Sequence, residues 1–275
     1  MDVQLIVSDI DGTLTEKVGI TDRTKKTLES LKEKGVRLGI ASGRPYYAVT
    51  RSVRGWGLKY DPDFIIGMNG AQLYDFKDGQ LLEQHLLSTD TIREVYDYMA
   101  PFRNQTNMFI YEDERTLFEK EDELYTATFI KYYEVESVDV AEDLEEFFTR
   151  PIAKLLFRLY DISDMPKIEK YIAEHPNPHF VGFKTRPNLM EFVDPWVNKY
   201  AAVEEYIRKY QIPNEKVAAF GDTTNDLEMI RDCGIGVAMC NGTDDVKKVA
   251  DYISEKPCSE DGFADFVGRN ILKDL

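Results

Sequence analysis

Short apolar runs alternate with amphipathic segments at both ends of this 275-residue chain, and this alternation limits the folds it can adopt. Three runs are almost continuously apolar, as strands buried on both faces are: VQLIVSD, VRLGIA and KVAAFGD. The segment between the first two has helical spacing, with Thr21 as a predicted N-cap and Gly35 just past its end. Strands that alternate with such helices predict an α/β fold with a parallel sheet and right-handed crossovers.

The pattern changes between Ser88 and Arg186. Strands with one polar face replace the buried ones, in NMFIYEDERTLFE, IAKLLFRLYD and HFVGFKT, and helical stretches such as DMPKIEKYIAEH lie between them. We therefore expect a Rossmann-like core built from residues 1–87 and 187–275, with an α+β unit, residues 88–186, inserted into it. Five aromatic residues are assigned to the core of the insert rather than to a ligand cage: Phe109, Tyr111, Phe118, Phe129 and Tyr133.

Composition excludes several classes of partner. The formal net charge of -16 argues against nucleic acid and anionic membranes, which need a positive surface. There is no 18-residue apolar stretch and no basic segment leading into an apolar one at the start, so we expect a soluble, cytoplasmic protein. Cys233, Cys240 and Cys258 show no CxxC spacing and are interpreted as reduced thiols. Nothing in the sequence indicates an obligate protein partner.

Acidic residues follow two of the predicted core strands. Asp9 and Asp11 end the first strand, and Asp222 and Asp226 follow the KVAAFGD strand. Each has a plain structural alternative, since such residues also form turns and helix N-caps. In a parallel sheet, however, the carboxyl ends of the strands line the ligand crevice. Four carboxylates converging there would repel one another, and a hard cation would offset the cost.

These segments resemble a known family. DxDGT at Asp9–Thr13, Ser-Gly-Arg at Ser42–Arg44, Lys199, and GDxxND at Gly221–Asp226 match, in order, the four motifs of the haloacid dehalogenase superfamily. The large insert is similar to the C2-type (IIB) cap of its Cof-like phosphatases. One departure is Cys240-Asn241-Gly242, where many relatives have Gly-Asn-Ala, and it concerns local loop shape.

The resemblance implies a Mg²⁺-dependent phosphomonoesterase. Asp9 would be the nucleophile that forms an aspartyl-phosphate, and Asp11 would be general acid and then general base. Mg²⁺ would be held by the Asp9 carboxylate, the Asp11 backbone carbonyl and Asp222. Asp226 would hold a metal-bound water. Thr13, like Asp226, would contact the metal ligands rather than the metal itself.

The phosphoryl group would be bound by Ser42, Gly43, Lys199 and Asn225, with Ser42 and nearby backbone N–H groups at a helix N-terminus. Lys184 competes with Lys199 for this role, because it precedes the same stretch. Four basic residues of the insert are candidate substrate contacts: Arg103, Arg115, Lys131 and Lys184. For each, the alternative interpretation is a solvated charge on the protein surface.

The substrate is expected to be a small phosphorylated metabolite. Sugar phosphates are the first choice, and pyridoxal phosphate and FMN are further candidates that the resemblance implies. The alternative function is a phosphotransferase or phosphomutase, which would use the same nucleophile with a different acceptor.

Overall fold

The computed structural model describes residues 1–16, 19–112, 115–123, 125–126 and 137–273, and these form two compact units. The first combines Met1–Glu83 with Asn198–Leu275, and the second is Gln84–Val197. The second unit thus begins before and ends after the predicted insert, 88–186. It extends further at its C-terminal end because Leu189–Val193, predicted to belong to the core, pairs with two strands of the second unit.

The first unit contains an eight-stranded sheet in the order β14-β13-β12-β1-β2-β3-β4-β5. Its strands, numbered along the chain, are Leu5–Asp9 (β1), Arg37–Ala41 (β2), Phe64–Gly67 (β3), Gln72–Asp75 (β4), Gln80–Glu83 (β5), Val217–Gly221 (β12), Ile235–Ala238 (β13) and Tyr252–Ile253 (β14). The strands from β14 to β3 in this order are parallel, and β4 and β5 add an antiparallel hairpin. The predicted parallel core is confirmed, and the hairpin agrees with the turn residues Lys77-Asp78-Gly79 between its strands.

Helices cover both faces of this sheet: Asp22–Glu33 (α1), Tyr46–Gly55 (α2), Lys199–Tyr210 (α5), Leu227–Asp232 (α6), Asp244–Val249 (α7) and Gly262–Asn270 (α8). Every residue of β1 is buried, with Ile6 in one hydrophobic cluster and Leu5 and Val7 in the other. Both faces of the strand are therefore covered, which explains its continuous apolar run.

Helix α1 follows from its sequence as predicted. Thr21 is its N-cap, and the Thr21 side chain accepts a hydrogen bond from the Thr24 backbone N–H at 3.1 Å. Leu28 and Leu31 are buried against the sheet. Gly35, with φ of +82°, takes the left-handed conformation that ends many helices.

The second unit contains a six-stranded sheet in the order β10-β11-β9-β6-β7-β8. Its strands are Thr106–Glu112 (β6), Arg115–Phe118 (β7), Ser137–Val140 (β8), Leu155–Leu159 (β9), Val181–Arg186 (β10) and Leu189–Val193 (β11), and its helices include Thr89–Tyr98 (α3) and Met165–Glu174 (α4). Ile92 of α3 and Ile168 of α4 share a hydrophobic cluster with Phe157 and Phe192 of the sheet. This unit has its own core, as an inserted α+β unit should.

Two local predictions differ from the structure or lie outside it. The spacing of DDVKKVADYI predicts a helix that includes Tyr252 and Ile253, but these two residues form β14, because they pair in parallel with β13. Of the aromatic residues assigned to the core of the insert, Phe109 and Phe118 are buried and stacked, with ring centroids 4.8 Å apart. Phe129 and Tyr133 lie outside the described residues. No helix in the described ranges is long and apolar enough to cross a membrane.

Candidate active site

Three neighbouring parallel strands deliver the predicted motifs to one edge of the sheet. Strand β1 lies between β12 and β2, and Asp9 at its end is in register with Ala41 at the end of β2. Ser42 and Gly43 follow β2 directly, and Asp222 follows β12 directly. The carboxyl edge of the sheet therefore brings together residues that are more than 200 positions apart in the chain.

Three carboxylates form a buried cluster at this edge. Oxygen atoms of Asp9, Asp222 and Asp226 lie within 4.8 Å of one another. Lys199 is fully buried beside them, and its Nζ donates to Asp9 Oδ1 and to Asp226 Oδ1, each at 2.6 Å. One ammonium group thus faces three carboxylates, and the cluster carries surplus negative charge when all three are ionised.

Lys199 owes its position to the start of helix α5. Asn198 is the N-cap, and its side chain accepts from the Ala201 backbone N–H at 2.8 Å. Gly70 permits a close approach, since a Cβ there would lie 2.0 Å from the Asn198 carbonyl oxygen. Lys184, the competing candidate, lies in the second unit, where it pairs with Glu169 at 3.0 Å. Of the two lysines, Lys199 is the one that lies beside the carboxylates of the first unit.

Burial dominates the electrostatics of the cluster. Burial raises the pKa of Asp9 well above its ordinary value, against the opposing effect of the Lys199 charge. Burial and the neighbouring Asp226 carboxylate raise the pKa of Asp222 to about 6. Burial alone would lower the pKa of Lys199, but the charges of Asp226 and Asp9 outweigh it and the net direction is upward. Without a further cation, keeping these buried carboxylates ionised destabilises the folded protein.

Asp226 braces the loop that carries Asp222. Its Oδ2 accepts hydrogen bonds from the backbone N–H groups of Asp222 (3.0 Å) and Thr223 (3.2 Å), while Oδ1 faces Lys199. Thr13 supports Asp222 from the other side, donating from Oγ1 to Asp222 Oδ1 at 3.0 Å. Gly12 lies close against the Asp222 side chain because it has no side chain of its own: its φ is +91°, and a Cβ would lie 2.2 Å from Asp222 Oδ2.

The side chain of Asp11 lies outside this buried cluster. It is 59% exposed, and both of its oxygens accept from Arg44 Nη2, at 2.6 and 2.7 Å. Sequence reasoning identified Arg44 as part of a motif but assigned it no role. The two residues are 33 positions apart in the chain, and only their three-dimensional proximity indicates the pair.

The turn after β2 holds two of the predicted phosphate-binding residues, Ser42 and Gly43. Ser42 is buried, its backbone N–H donates to the Ile66 carbonyl at 2.9 Å, and its Oγ accepts from the Arg44 backbone N–H at 3.2 Å. The Ser42 backbone N–H is thus already used within the sheet edge. A Cβ on Gly43 would lie 2.9 Å from Asn69 Oδ1.

Asn69 joins this turn to the loop after β12, and sequence reasoning missed it. Its Oδ1 accepts from Asn225 Nδ2 at 3.1 Å, and its backbone N–H donates to the Ser42 carbonyl at 3.1 Å. Asn69 adopts a left-handed conformation with φ of 58°. The available signal in the sequence was the pair Asn69-Gly70, which is typical of a turn.

The predicted substrate contacts of the insert are paired with carboxylates of their own unit. Arg103 contacts Asp97 at 2.9 Å, and Lys184 contacts Glu169 at 3.0 Å. Arg115 likewise donates from Nε to Glu112 at 2.9 Å, and Lys131 lies outside the described residues. A buried pair that the sequence did not indicate, Lys154 with Glu191 at 3.0 Å, lies on the sheet of this unit.

Comparison with known families accounts for this combination of fold and motifs. The family model for haloacid dehalogenase-like hydrolases matches residues 6–267, and the chain therefore belongs to this family. The resemblance and the α/β fold class predicted from the sequence are both confirmed.

Similar proteins define more closely which class of hydrolase this chain belongs to. The chain is 29% identical to the Bacillus subtilis 5-amino-6-(5-phospho-D-ribitylamino)uracil phosphatase YcsE, over 99% of this chain and 97% of that protein. A haloacid dehalogenase-like hydrolase from Bacteroides thetaiotaomicron superposes with a TM-score of 0.83 at 27% identity, covering 97% and 99% of the two chains. The subclass IIB sugar phosphatase BT4131 shares the fold, with a TM-score of 0.82 at 22% identity over 98% and 100%. Within its family, the protein is a phosphatase.

Proposed function

We propose that the protein is a Mg²⁺-dependent phosphomonoesterase that acts through an aspartyl-phosphate on Asp9. The observation that carries the proposal is the buried cluster of Asp9, Asp222 and Asp226 with Lys199, at the carboxyl edge of a parallel sheet. Lys199 holds one oxygen of Asp9 in place, and its charge would reduce the repulsion between that carboxylate and an incoming phosphate group.

The donor atoms of the cluster fit Mg²⁺. Carboxylate and carbonyl oxygens are the ligands that this ion prefers, and the surplus negative charge of the cluster calls for a cation. Asp9, Asp222 and the backbone carbonyl of Asp11 would hold it. Asp226 is placed outside this set because both of its oxygens already accept hydrogen bonds from Lys199 and from backbone N–H groups. Bound Mg²⁺ would stabilise charge on the phosphoryl oxygens.

The reaction proceeds in two displacements. A carboxylate oxygen of Asp9 forms a bond to phosphorus while the ester P–O bond breaks, and Asp11 gives its proton to the departing oxygen. Asp11 then takes a proton from water as the water oxygen attacks phosphorus, and the bond between phosphorus and Asp9 breaks. Inorganic phosphate leaves and the Asp9 carboxylate is restored.

Asp11 must leave Arg44 to perform either proton transfer. In the present conformation, both of its oxygens are held by the Arg44 guanidinium. An arriving phosphate dianion would offer Arg44 another anionic partner and so release Asp11. The Ser42 hydroxyl, the Gly43 backbone N–H, Lys199 and the Asn225 amide are proposed to bind the phosphoryl oxygens.

The substrate is proposed to be a small phosphorylated metabolite, with sugar phosphates first. YcsE is named for a substrate with a phosphorylated ribityl chain, an open-chain sugar alcohol phosphate. FMN carries the same kind of chain on a different ring, so the sugar part, rather than the ring, is the shared chemistry. Pyridoxal phosphate remains a further candidate. The unit Gln84–Val197 is proposed to be a C2-type cap that selects the leaving group. A cytoplasmic location and the absence of nucleic-acid and membrane partners remain predictions.

A phosphate-release screen tests this proposal. The panel would contain glucose 6-phosphate, ribose 5-phosphate, the ribitylaminouracil phosphate, FMN and pyridoxal phosphate, each with Mg²⁺ and with EDTA. Activity should require Mg²⁺ and be abolished in Asp9→Asn, which keeps the size of the side chain but removes the nucleophile. Chelator-resistant turnover, or turnover by Asp9→Asn, would contradict the mechanism. Transfer of phosphate to an added sugar without net release would instead favour the phosphotransferase or phosphomutase alternative.

A further inference from the structure

A short loop next to the carboxylate cluster makes contacts that the proposed reaction does not use. This loop, Cys240–Thr243, follows strand β13 and leads into helix α7. Strand β13 borders β12, but β12 separates it from β1. The loop nevertheless contacts both the turn after β1 and the residue after β12.

Asn241 forms the contact with the turn after β1. Its Nδ2 donates to the Gly12 carbonyl at 2.8 Å, and its Oδ1 accepts from the Cys258 backbone N–H at 2.8 Å. Both ends of the amide are therefore used, and Asn241 ties the Gly12 peptide to a segment more than 200 residues away. Gly12 directly follows Asp11, whose carbonyl is a proposed ligand.

The next two residues form the contact with Asp222. The Thr243 backbone N–H donates to the Asp222 carbonyl at 2.7 Å, and the Thr243 hydroxyl lies 3.3 Å from the same oxygen. Gly242 lies so close that a Cβ would be 2.6 Å from the Asp222 carbonyl oxygen and 2.9 Å from its Cα. These are backbone atoms, so an added methyl group would force the loop or Asp222 to move.

We propose that the loop Cys240–Thr243 sets the spacing between the Asp11–Gly12 turn and Asp222, and that Asn241 is a positioning residue for the cation site. The inference rests on the proposed Mg²⁺ site. Mg²⁺ demands near-ideal octahedral geometry, whereas Ca²⁺ tolerates irregular sites. A loosened turn should therefore weaken Mg²⁺ binding much more than Ca²⁺ binding, which distinguishes positioning from general stabilisation.

The test is calorimetric titration of Mg²⁺ and of Ca²⁺ into the metal-free full-length protein and its variants. Asn241→Ala removes both hydrogen bonds of an exposed side chain, so the fold should survive, and thermal unfolding checks this. The Kd for Mg²⁺ should rise about tenfold or more, the range seen when residues behind metal ligands are lost. The Kd for Ca²⁺ should change by less than about threefold, given its tolerance of geometry. Gly242→Ala should likewise raise the Kd for Mg²⁺ more than the Kd for Ca²⁺.

Asn214→Ala is the matched control. Asn214 Nδ2 also donates to a backbone carbonyl, that of Asp232, at 2.8 Å, but it lies just before the start of β12, at the opposite end of that strand. The Mg²⁺ affinity of the Asn214→Ala variant should equal that of the wild type. Unchanged Mg²⁺ binding in Asn241→Ala, or equal losses for Mg²⁺ and Ca²⁺, would overturn the positioning role and leave the metal site standing. A wild-type protein that binds no Mg²⁺ would instead refute the proposed metal site.

Discussion

Replacing Asp222 with asparagine should stabilise the metal-free protein at neutral pH, although it removes a proposed ligand. Asp222 is 7% exposed, and burial together with the Asp226 charge raises its pKa from the ordinary 3.8 to about 6. The folded protein therefore holds the Asp222 proton more tightly than the unfolded chain does. This tighter proton binding stabilises the folded protein. The stabilisation is fully present below pH 3.8 and is lost as the pH rises through about 6. Asparagine has nearly the same shape, and its Oδ1 still accepts from Thr13.

The magnitude follows from the two pKa values. Each pKa unit corresponds to about 1.4 kcal/mol, so a rise from 3.8 to about 6 changes the free energy of unfolding by about 3 kcal/mol. The variant should be more stable than the wild type by up to this amount above pH 7. The difference should disappear near pH 4, where Asp222 is protonated in the folded protein. The Asp222 charge also raises the pKa of Asp9, so its removal should add to the difference in the same direction.

The assay is urea unfolding of both proteins in EDTA across this pH range, followed by the same series with Mg²⁺. Mg²⁺ should stabilise the wild type and have much less effect on the variant, because a ligand that binds only the folded state raises the free energy of unfolding. A variant that is less stable than the wild type in EDTA at about pH 8, or a difference that does not change with pH, would refute the electrostatic reasoning. Equal stabilisation of both proteins by Mg²⁺ would remove Asp222 from the proposed ligand set.

Two further changes test the roles of neighbouring residues. Asp11→Asn should slow phosphoenzyme formation from a sugar phosphate by about 10²- to 10⁴-fold but slow it far less with p-nitrophenyl phosphate, whose leaving group needs no proton. Rapid-quench measurements on both substrates check this, and equal losses would contradict the general-acid role. Lys199→Met should lower the free energy of unfolding by about 3–5 kcal/mol at neutral pH, because it leaves buried carboxylates without their partner. Urea unfolding measures this, and a loss below about 1 kcal/mol, the level of an exposed ion pair, would show that the buried pair contributes little.

Local sequence determined the elements of the core and the residues at its edge. The apolar run of β1 specifies a strand covered on both faces, and Thr21 and Gly35 mark the two ends of helix α1. Asp9 and Asp222 are placed at strand ends by the elements that precede them. These features depend on residues a few positions apart, which is why spacing alone predicts them.

Only the tertiary structure decided which side chains face one another. Both carboxylate oxygens of Asp226 are occupied by hydrogen bonds, Arg44 holds Asp11, and Asn241 reaches Gly12 across strand β12. Strand β11 joins the second unit rather than the core because of its pairing with β9 and β10. Each of these contacts joins segments brought together by packing, and a hydrogen bond forms only where donor and acceptor come within about 3 Å. That separation is set by how the strands and helices pack, and no spacing along the chain encodes it.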